Sequence, residues 1–364
     1  MVELFDNFIL KNLEIKNRLM RSATTSYWSD EEGILRQPIL DYYQRLVNGG
    51  LGFIVKGHSY VIESGKAHTG QSGLTNEKHI PQMKKITKLA HSKEIPIIAQ
   101  INHAGYSSII ERITASDYKT ENWNAREATL DEIQIIIDAF ANTSELAIQA
   151  GFDGIQIHGA HGYLVSQFLS DNVNKRNDKY GGLLENRARL LLDIFDAVKK
   201  RIGNAPIIAV KMNCDDFASE QGITITESIQ VAHWLDEKGI DLIEISGGGP
   251  KQDNEIRKIR GKPAKDKKYY EANFAGHAEK IRKTVPSVPL ALVDGFRSRD
   301  AMDAVLEENL VDFISISKPT IIEPDLPIRF MNGQKESSCT NCRECVSKER
   351  FGKIMLSCTQ LEKN

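Results

Sequence analysis

The chain has 364 residues, 41% hydrophobic and 26% charged, with 47 Lys and Arg against 49 Asp and Glu and a formal charge of −2. That balance offers no basic surface for nucleic acid or an anionic membrane, and no apolar run nears the roughly 20 residues needed to cross a bilayer. The start, Met-Val-Glu-Leu-Phe-Asp-Asn-Phe, carries acids where a secretory signal needs basic residues, so the expected location is cytoplasmic.

Short apolar runs recur at Leu19–Ala23, Gly52–Lys56, Ile95–Ile101, Asp153–Ile157, Ile207–Met212, Asp241–Ile245, Leu290–Val293 and Asp312–Ile316. Between them lie helix-like stretches such as Pro81–Ser92, Leu130–Ala150, Glu185–Arg201, Thr226–Lys238, Phe274–Lys283 and Arg299–Glu308. Strands alternating with helices imply a parallel sheet, and this number of repeats in this length predicts an α/β fold, a closed (β/α)8 TIM barrel. A doubly wound sheet would need a Gly-rich loop after its first strand, and none follows Ala23. No linker interrupts the chain before about Phe330, which gives a barrel over residues 1–330 and a Cys-rich tail over 331–364.

In such a barrel, chemistry gathers where strands end. The fourth run leads directly into His158-Gly-Ala-His161-Gly-Tyr163. Two imidazoles three residues apart at a strand's exit fall on one side of the turn and can donate to a single oxygen. A zinc pair competes, but His-x-x-His lacks the i, i+4 spacing of helical zinc ligands. Beyond a polar loop, Glu185 and Arg189 stand four apart on the next helix, a spacing that suits an ion pair.

In order, His-Gly-Ala-His-Gly-Tyr-Leu, Gln-Phe-Leu-Ser, Arg-Asn-Asp, Tyr-Gly-Gly and Glu-Asn-Arg closely resemble the signature of the Old Yellow Enzyme family of FMN-dependent ene-reductases. The resemblance implies a barrel with non-covalent FMN across its mouth, reduced by NADH or NADPH and passing hydride to an activated alkene such as an enone or enal. On that reading His158 and His161 bind and polarise the substrate oxygen, Tyr163 protonates the α-carbon, and Tyr27 borders the substrate space. Ser22, Ala23, Thr24 and Thr25 form the floor beneath the flavin, with Thr25 where relatives place Thr or Cys near its reactive nitrogen. Gly57 is the small residue at the flavin edge. Gln100 can both donate to and accept from the pyrimidine ring, and Lys211 stabilises negative charge at that end. Gly247, Gly248 and Gly295 are the expected phosphate cradle, because loops late in the barrel bind phosphate and glycine permits close approach. Ser317-Lys318 stands where relatives carry Gly-Arg, and lysine serves phosphate as a point charge. Tyr106 replaces the arginine that usually follows His-Ala-Gly, and His58 reads as structural. Residues 251–270 match the family's variable loop over the site, with a plain solvated loop as the alternative.

Four of the five cysteines crowd the tail as Cys339-x2-Cys342-x2-Cys345-x12-Cys358. The spacing resembles the 2,4-dienoyl-CoA reductase branch, whose longer members carry a four-iron cluster here, usually with second and third gaps of three and eleven. Iron–sulfur, zinc on four thiolates, and reduced metal-free thiols all remain open. The expected partners are a small-molecule alkene and a nicotinamide, with no nucleic acid and no membrane. A homo-oligomer and the choice between NADH and NADPH are left open. Alternative functions are an amine dehydrogenase or demethylase of the trimethylamine dehydrogenase type, a flavin-free zinc hydrolase using the histidine pair, and a non-catalytic binding protein.

Overall fold

Apolar runs without alternation, such as Ile97–Asn102 and Ile207–Asn213, are buried along their whole length, as strands covered on both faces must be. The computed structural model describes residues 2–218, 222–249, 271–347 and 349–362, so the loop read at 251–270 lies outside the described residues. In chain order the principal strands are Leu19–Arg21, Phe53–Tyr60, Ile97–Asn102, Gly154–Gly159, Ile207–Asn213, Leu242–Ser246, Leu290–Val293 and Phe313–Ile316. Each pairs in parallel with the next, and the last pairs with the first, setting Ser315 opposite Met20. This is the closed (β/α)8 barrel expected from the alternation.

The helices Ile80–His91, Leu130–Gln149, Leu184–Ile202, Ile225–Glu237, Ala275–Thr284 and Arg299–Glu307 fall within one residue of the ranges read from the sequence. Thr129 and Thr224 start two of them with capping boxes completed by Glu132 and Glu227. Among the described residues no helix is long and apolar enough to cross a membrane.

Several elements escaped the sequence reading. A hairpin, Phe8–Leu10 with Leu13–Ile15, packs Leu10 and Ile15 against Met20, Phe53, Ala209 and Phe313 of the ring interior. The helix Gln37–Val47 opens with Pro38 and buries Ile39, Leu40, Tyr42, Tyr43, Leu46 and Val47. A small three-stranded sheet, built from Ile113–Thr114, Tyr118–Lys119 and Asn124–Glu127, follows the third barrel strand. The expected Glu185–Arg189 ion pair is not among those of the described residues. Arg189 instead donates to the Lys179 carbonyl (2.7 Å) and to the Asn186 side chain (2.9 Å).

The second strand runs on to Tyr60 through a register shift between Lys56 and Ser59. Lys56 is buried there, with its ammonium donating to the hydroxyls of Ser59 (2.7 Å) and Ser72. Desolvation pushes its pKa down to about 7. A lysine whose folded pKa lies below its unfolded value makes stability rise between those two values. The cost of burial is fully present below about pH 7 and gone above roughly pH 10.5. Lys56→Met should therefore stabilise the protein by on the order of 2 kcal/mol at pH 6, with Ser59 and Ser72 still bonded to each other (3.2 Å). The gain should vanish by about pH 10.5 in urea titrations run across pH. A gain independent of pH would assign the effect to packing.

Candidate active site at the barrel mouth

The fourth strand delivers a buried His158, and the chain then turns sharply, with His161 (φ 62°) and Gly162 (φ 74°) both in the left-handed region. That turn is fastened from outside. The Gln167 amide donates to the carbonyls of Ala104 (3.2 Å) and Gly162 (2.6 Å), while its oxygen accepts the Tyr106 N–H (3.2 Å). The Asn213 side-chain oxygen accepts the His161 N–H (3.2 Å).

The result brings the predicted residues together. The rings of His158 and His161 lie 5.2 Å apart and nearly perpendicular, and Tyr163 meets His158 edge-on at 5.0 Å. His161 Nε2 shares a hydrogen bond with the Ser246 hydroxyl (2.7 Å). Burial first, then the neighbouring His161 and Lys211, hold the His158 pKa well below the ordinary imidazole value. Burial pushes the Tyr163 phenol up to about 12, so it keeps its proton.

His58, beside this group, has a structural task. The Ala67 N–H donates to the Gln71 oxygen (2.6 Å), which leaves the Gln71 nitrogen to donate to His58 Nδ1 (3.1 Å). Nδ1 is therefore an acceptor and the ring proton sits on Nε2.

Behind the histidines runs a buried polar network that the sequence reading missed. Glu244 Oε1 accepts from Lys211 (3.0 Å), Ser22 (2.8 Å) and Ser315 (2.6 Å), and Oε2 accepts from Gln156 (2.9 Å). Gln156 in turn accepts from Gln100 (2.7 Å). Burial would raise the Glu244 pKa, but Lys211 and then the hydroxyls and the amide outweigh it and hold it below the ordinary value. Pairing across the ring explains the meeting, since Lys211 lies opposite Glu244 and Gln156 opposite Gln100. A carboxylate inside an otherwise apolar strand was the available signal, because a buried charge needs a partner.

The floor residues are close to one another. Thr24 shares a hydrogen bond with the Ser317 hydroxyl (2.7 Å), and Thr25 with His68 (3.1 Å). A Cβ on Gly57 would sit 2.2 Å from the Thr24 carbonyl oxygen, so that glycine lets the floor approach the second strand. A cavity of about 800 Å³ opens above, lined by Ser22, Ala23, His161, Lys211, Ser246, Ser317, Lys318 and residues of the tail.

At its far end a small cavity of about 50 Å³ is walled by Gly295, Arg297, Ser317, Lys318 and Asn341. Gly295 has φ 103°, and a Cβ there would lie 1.7 Å from the Glu271 carbonyl oxygen. Gly247 and Gly248 were expected to join it and do not. Gly247 lies under the rings of Phe217 and Phe274, and the Gly248 N–H donates to the Asp215 carbonyl (3.0 Å). Arg297, unforeseen, holds the Cys339 carbonyl and Glu336.

The tail lies against the mouth. Leu356 N–H donates to the Ser26 carbonyl (3.0 Å), Phe351 packs on Tyr27 (4.9 Å), and Cys342 and Arg343 wall the large cavity. Cys339 and Cys358 are buried and Cys342 is exposed. Among the described residues no group of three or more His, Cys, Asp or Glu is arranged to hold a metal ion.

FMN fits this donor set. The larger cavity has the size of a cofactor pocket, with Lys211 in its wall and Lys318 shared with the small one. The Asn341 side-chain oxygen in the small cavity is buried without a hydrogen-bond partner among the described residues, and an amide can turn its nitrogen to an anion.

Comparison with known proteins gives the family and the fold. The family described as NADH:flavin oxidoreductase / NADH oxidase matches residues 3–337. The chain belongs to that family. It is the family of flavin oxidoreductases to which the motif resemblance points. Within the family, an NADH oxidase of Thermoanaerobacter brockii is 29% identical over 368 residues, covering 98% of this chain and 55% of that protein. A 2-naphthoyl-CoA reductase in complex with 2-naphthoyl-CoA superposes with TM-score 0.86 at 25% identity, over 94% of this chain and 54% of the other. The chain thus spans about half the length of both. An Old Yellow Enzyme homologue from Zymomonas mobilis, 24% identical with TM-score 0.77, covers 92% of this chain and 94% of its own, and shares the fold.

Proposed function

We propose that the protein reduces the double bond of an α,β-unsaturated carbonyl compound, with NADH or NADPH as the source of electrons. The observation that carries this is the meeting of His158, His161 and Tyr163 at the mouth, with ring centroids 5.2 Å and 5.0 Å apart. Two imidazole N–H groups directed at one carbonyl oxygen strengthen their hydrogen bonds as that oxygen gains enolate character. Tyr163, still protonated, donates to the α-carbon. Ser22, Ala23, Thr24, Thr25, Gly57, Gln100 and Lys211 would hold the flavin ring, and Gly295, Ser317 and Lys318 its phosphate. When bound, FMN supplies hydride to the β-carbon after taking it from the nicotinamide.

The purified protein should be yellow, bleach anaerobically with NADH or NADPH, and turn over a simple enone. A colourless protein that takes up no added FMN would overturn the reading. Lys318→Ala should weaken FMN binding about tenfold or more, because it removes a charge-assisted contact to phosphate, and should slow chemistry less once flavin is saturating. Unchanged FMN affinity by fluorescence titration would return Lys318 to a structural role.

A further inference from the structure

Behind His161 runs a relay of hydrogen bonds whose direction is set by a buried carboxylate. Asp216 Oδ2 accepts the Ser170 hydroxyl (2.6 Å) and the Ile223 N–H (3.0 Å), and Oδ1 accepts the Asn213 amide nitrogen (3.0 Å). Desolvation pushes this carboxyl up to about 6, against the pull of Ser170, Ile223 and Asn213, so at about pH 8 it is an ion that only accepts. The Asn213 amide must therefore turn its nitrogen to Asp216, which leaves its oxygen for the His161 N–H (3.2 Å). That N–H belongs to a left-handed residue (φ 62°), a conformation that persists outside glycine only where the surroundings hold it. The chain is built close around the carboxylate. A Cβ on Gly249, the last of the glycine run after the sixth strand, would lie 2.0 Å from the carboxyl carbon of Asp216, and one on Gly222 would lie 2.9 Å from its Cβ.

We propose that Asp216 is a positioning residue: through the Asn213 amide it fixes the His161 turn and so aims the imidazole that receives the substrate oxygen. This rests on the function proposed above, in which His161 donates to that oxygen. Shape alone does not set the turn. Asp216→Asn keeps the volume of the side chain and inverts the relay. An amide has one oxygen, and the Oδ2 place takes it, because the Ile223 N–H can only donate whereas the Ser170 hydroxyl can also accept. The introduced amide nitrogen then faces Asn213, whose oxygen turns to meet it, and the His161 N–H meets a donor where it now meets an oxygen. Adding Asn213→Asp sets the direction right again, since that carboxylate accepts from both sides.

Exchanging the two residues is the test. In the FMN-loaded protein, at the pH where Asp216 is ionised, Asp216→Asn should weaken the binding of a nitrophenolate about fivefold to tenfold, the worth of one net hydrogen bond, with flavin content unchanged. In flavin-free protein carrying 15N-labelled histidine, the same change should shift the His161 amide resonance and speed exchange of that proton with water. Asp216→Asn combined with Asn213→Asp should return both the amide and the affinity to near their native values, which a loss of packing or stability could not do. A His161 amide and an affinity unmoved by Asp216→Asn, or a double variant no better than the single one, would overturn the proposal. If Asp216→Asn does not fold, the double variant is compared with Asn213→Ala. The first should keep the native amide and affinity and the second lose both, and equal behaviour of the two would overturn the relay. A native protein that binds no FMN or no nitrophenolate would overturn the proposed function and the substrate role with it, while the amide in flavin-free protein still decides whether Asp216 fixes the turn.

Discussion

Replacing His158 or His161 by Ala should weaken the binding of a phenolate above the flavin by roughly 1–3 kcal/mol, the range for a hydrogen bond to a charged group. A phenolate offers one anionic oxygen on a flat ring, as the developing enolate does, and its stacking should give a long-wavelength charge-transfer band that reports affinity by titration. Enone turnover should fall in the same variants while flavin content stays nearly constant, since neither histidine is the main flavin anchor. Burial keeps His158 neutral, so its own ionisation should not enter the affinity over about pH 6 to 9. Tyr163→Phe should behave differently. It keeps the ring that packs on His158 at 5.0 Å but loses the donor, so phenolate binding survives while α-carbon protonation slows. Both His variants retaining full phenolate affinity and full turnover would make the pair structural.

Glu244→Ala should destabilise the barrel by about 3–5 kcal/mol, the cost of leaving a buried charge without its partner. Four donors converge on that carboxylate, and Lys211, itself buried, is one of them. Glu244→Gln should cost less at neutral pH, since it preserves the shape and one acceptor. Acid separates the two forms. A carboxylate with a folded pKa below its unfolded value contributes stability that is present above the unfolded value and lost as pH falls through the folded one. The native protein should therefore lose this contribution in acid, while Glu244→Gln has none to lose, and urea midpoints measured from neutral to acid pH should converge. An Ala variant as stable as the native protein at pH 7 would refute the assignment.

The ring was legible because its strands are apolar on both faces, so short runs such as Leu290–Val293 stand out without any need for alternation. The second strand was cut short where Lys56-Gly57-His58 interrupts the pattern; hydroxyls and amides satisfy those polar groups inside the fold, and that compensation is invisible in a linear reading. The Glu244 network escaped for a related reason. Its members come from five strands and from Ser22 just past a sixth, and no local window contains both a donor and its acceptor. The histidines and Tyr163 were readable because one turn supplies all three. Gly247 and Gly248 contrast with them: their spacing suits a phosphate loop, while in the fold the Gly248 N–H is held by the Asp215 carbonyl.

The bond from Arg21 to the Ser317 carbonyl crosses the junction between the first and last strands, joining residues 296 apart in sequence. Such a contact has no local precursor, so it forms only after nearly the whole chain is available, and high sequence separation slows folding. During synthesis the first strand must wait, with its edge uncovered, for Phe313–Ile316 to emerge. Ser22 and Ser317 stand on the two sides of this junction and both wall the large cavity. A ligand seated between them would act as a latch on the nascent ring, and its capture would mark the moment at which synthesis has yielded a closed barrel.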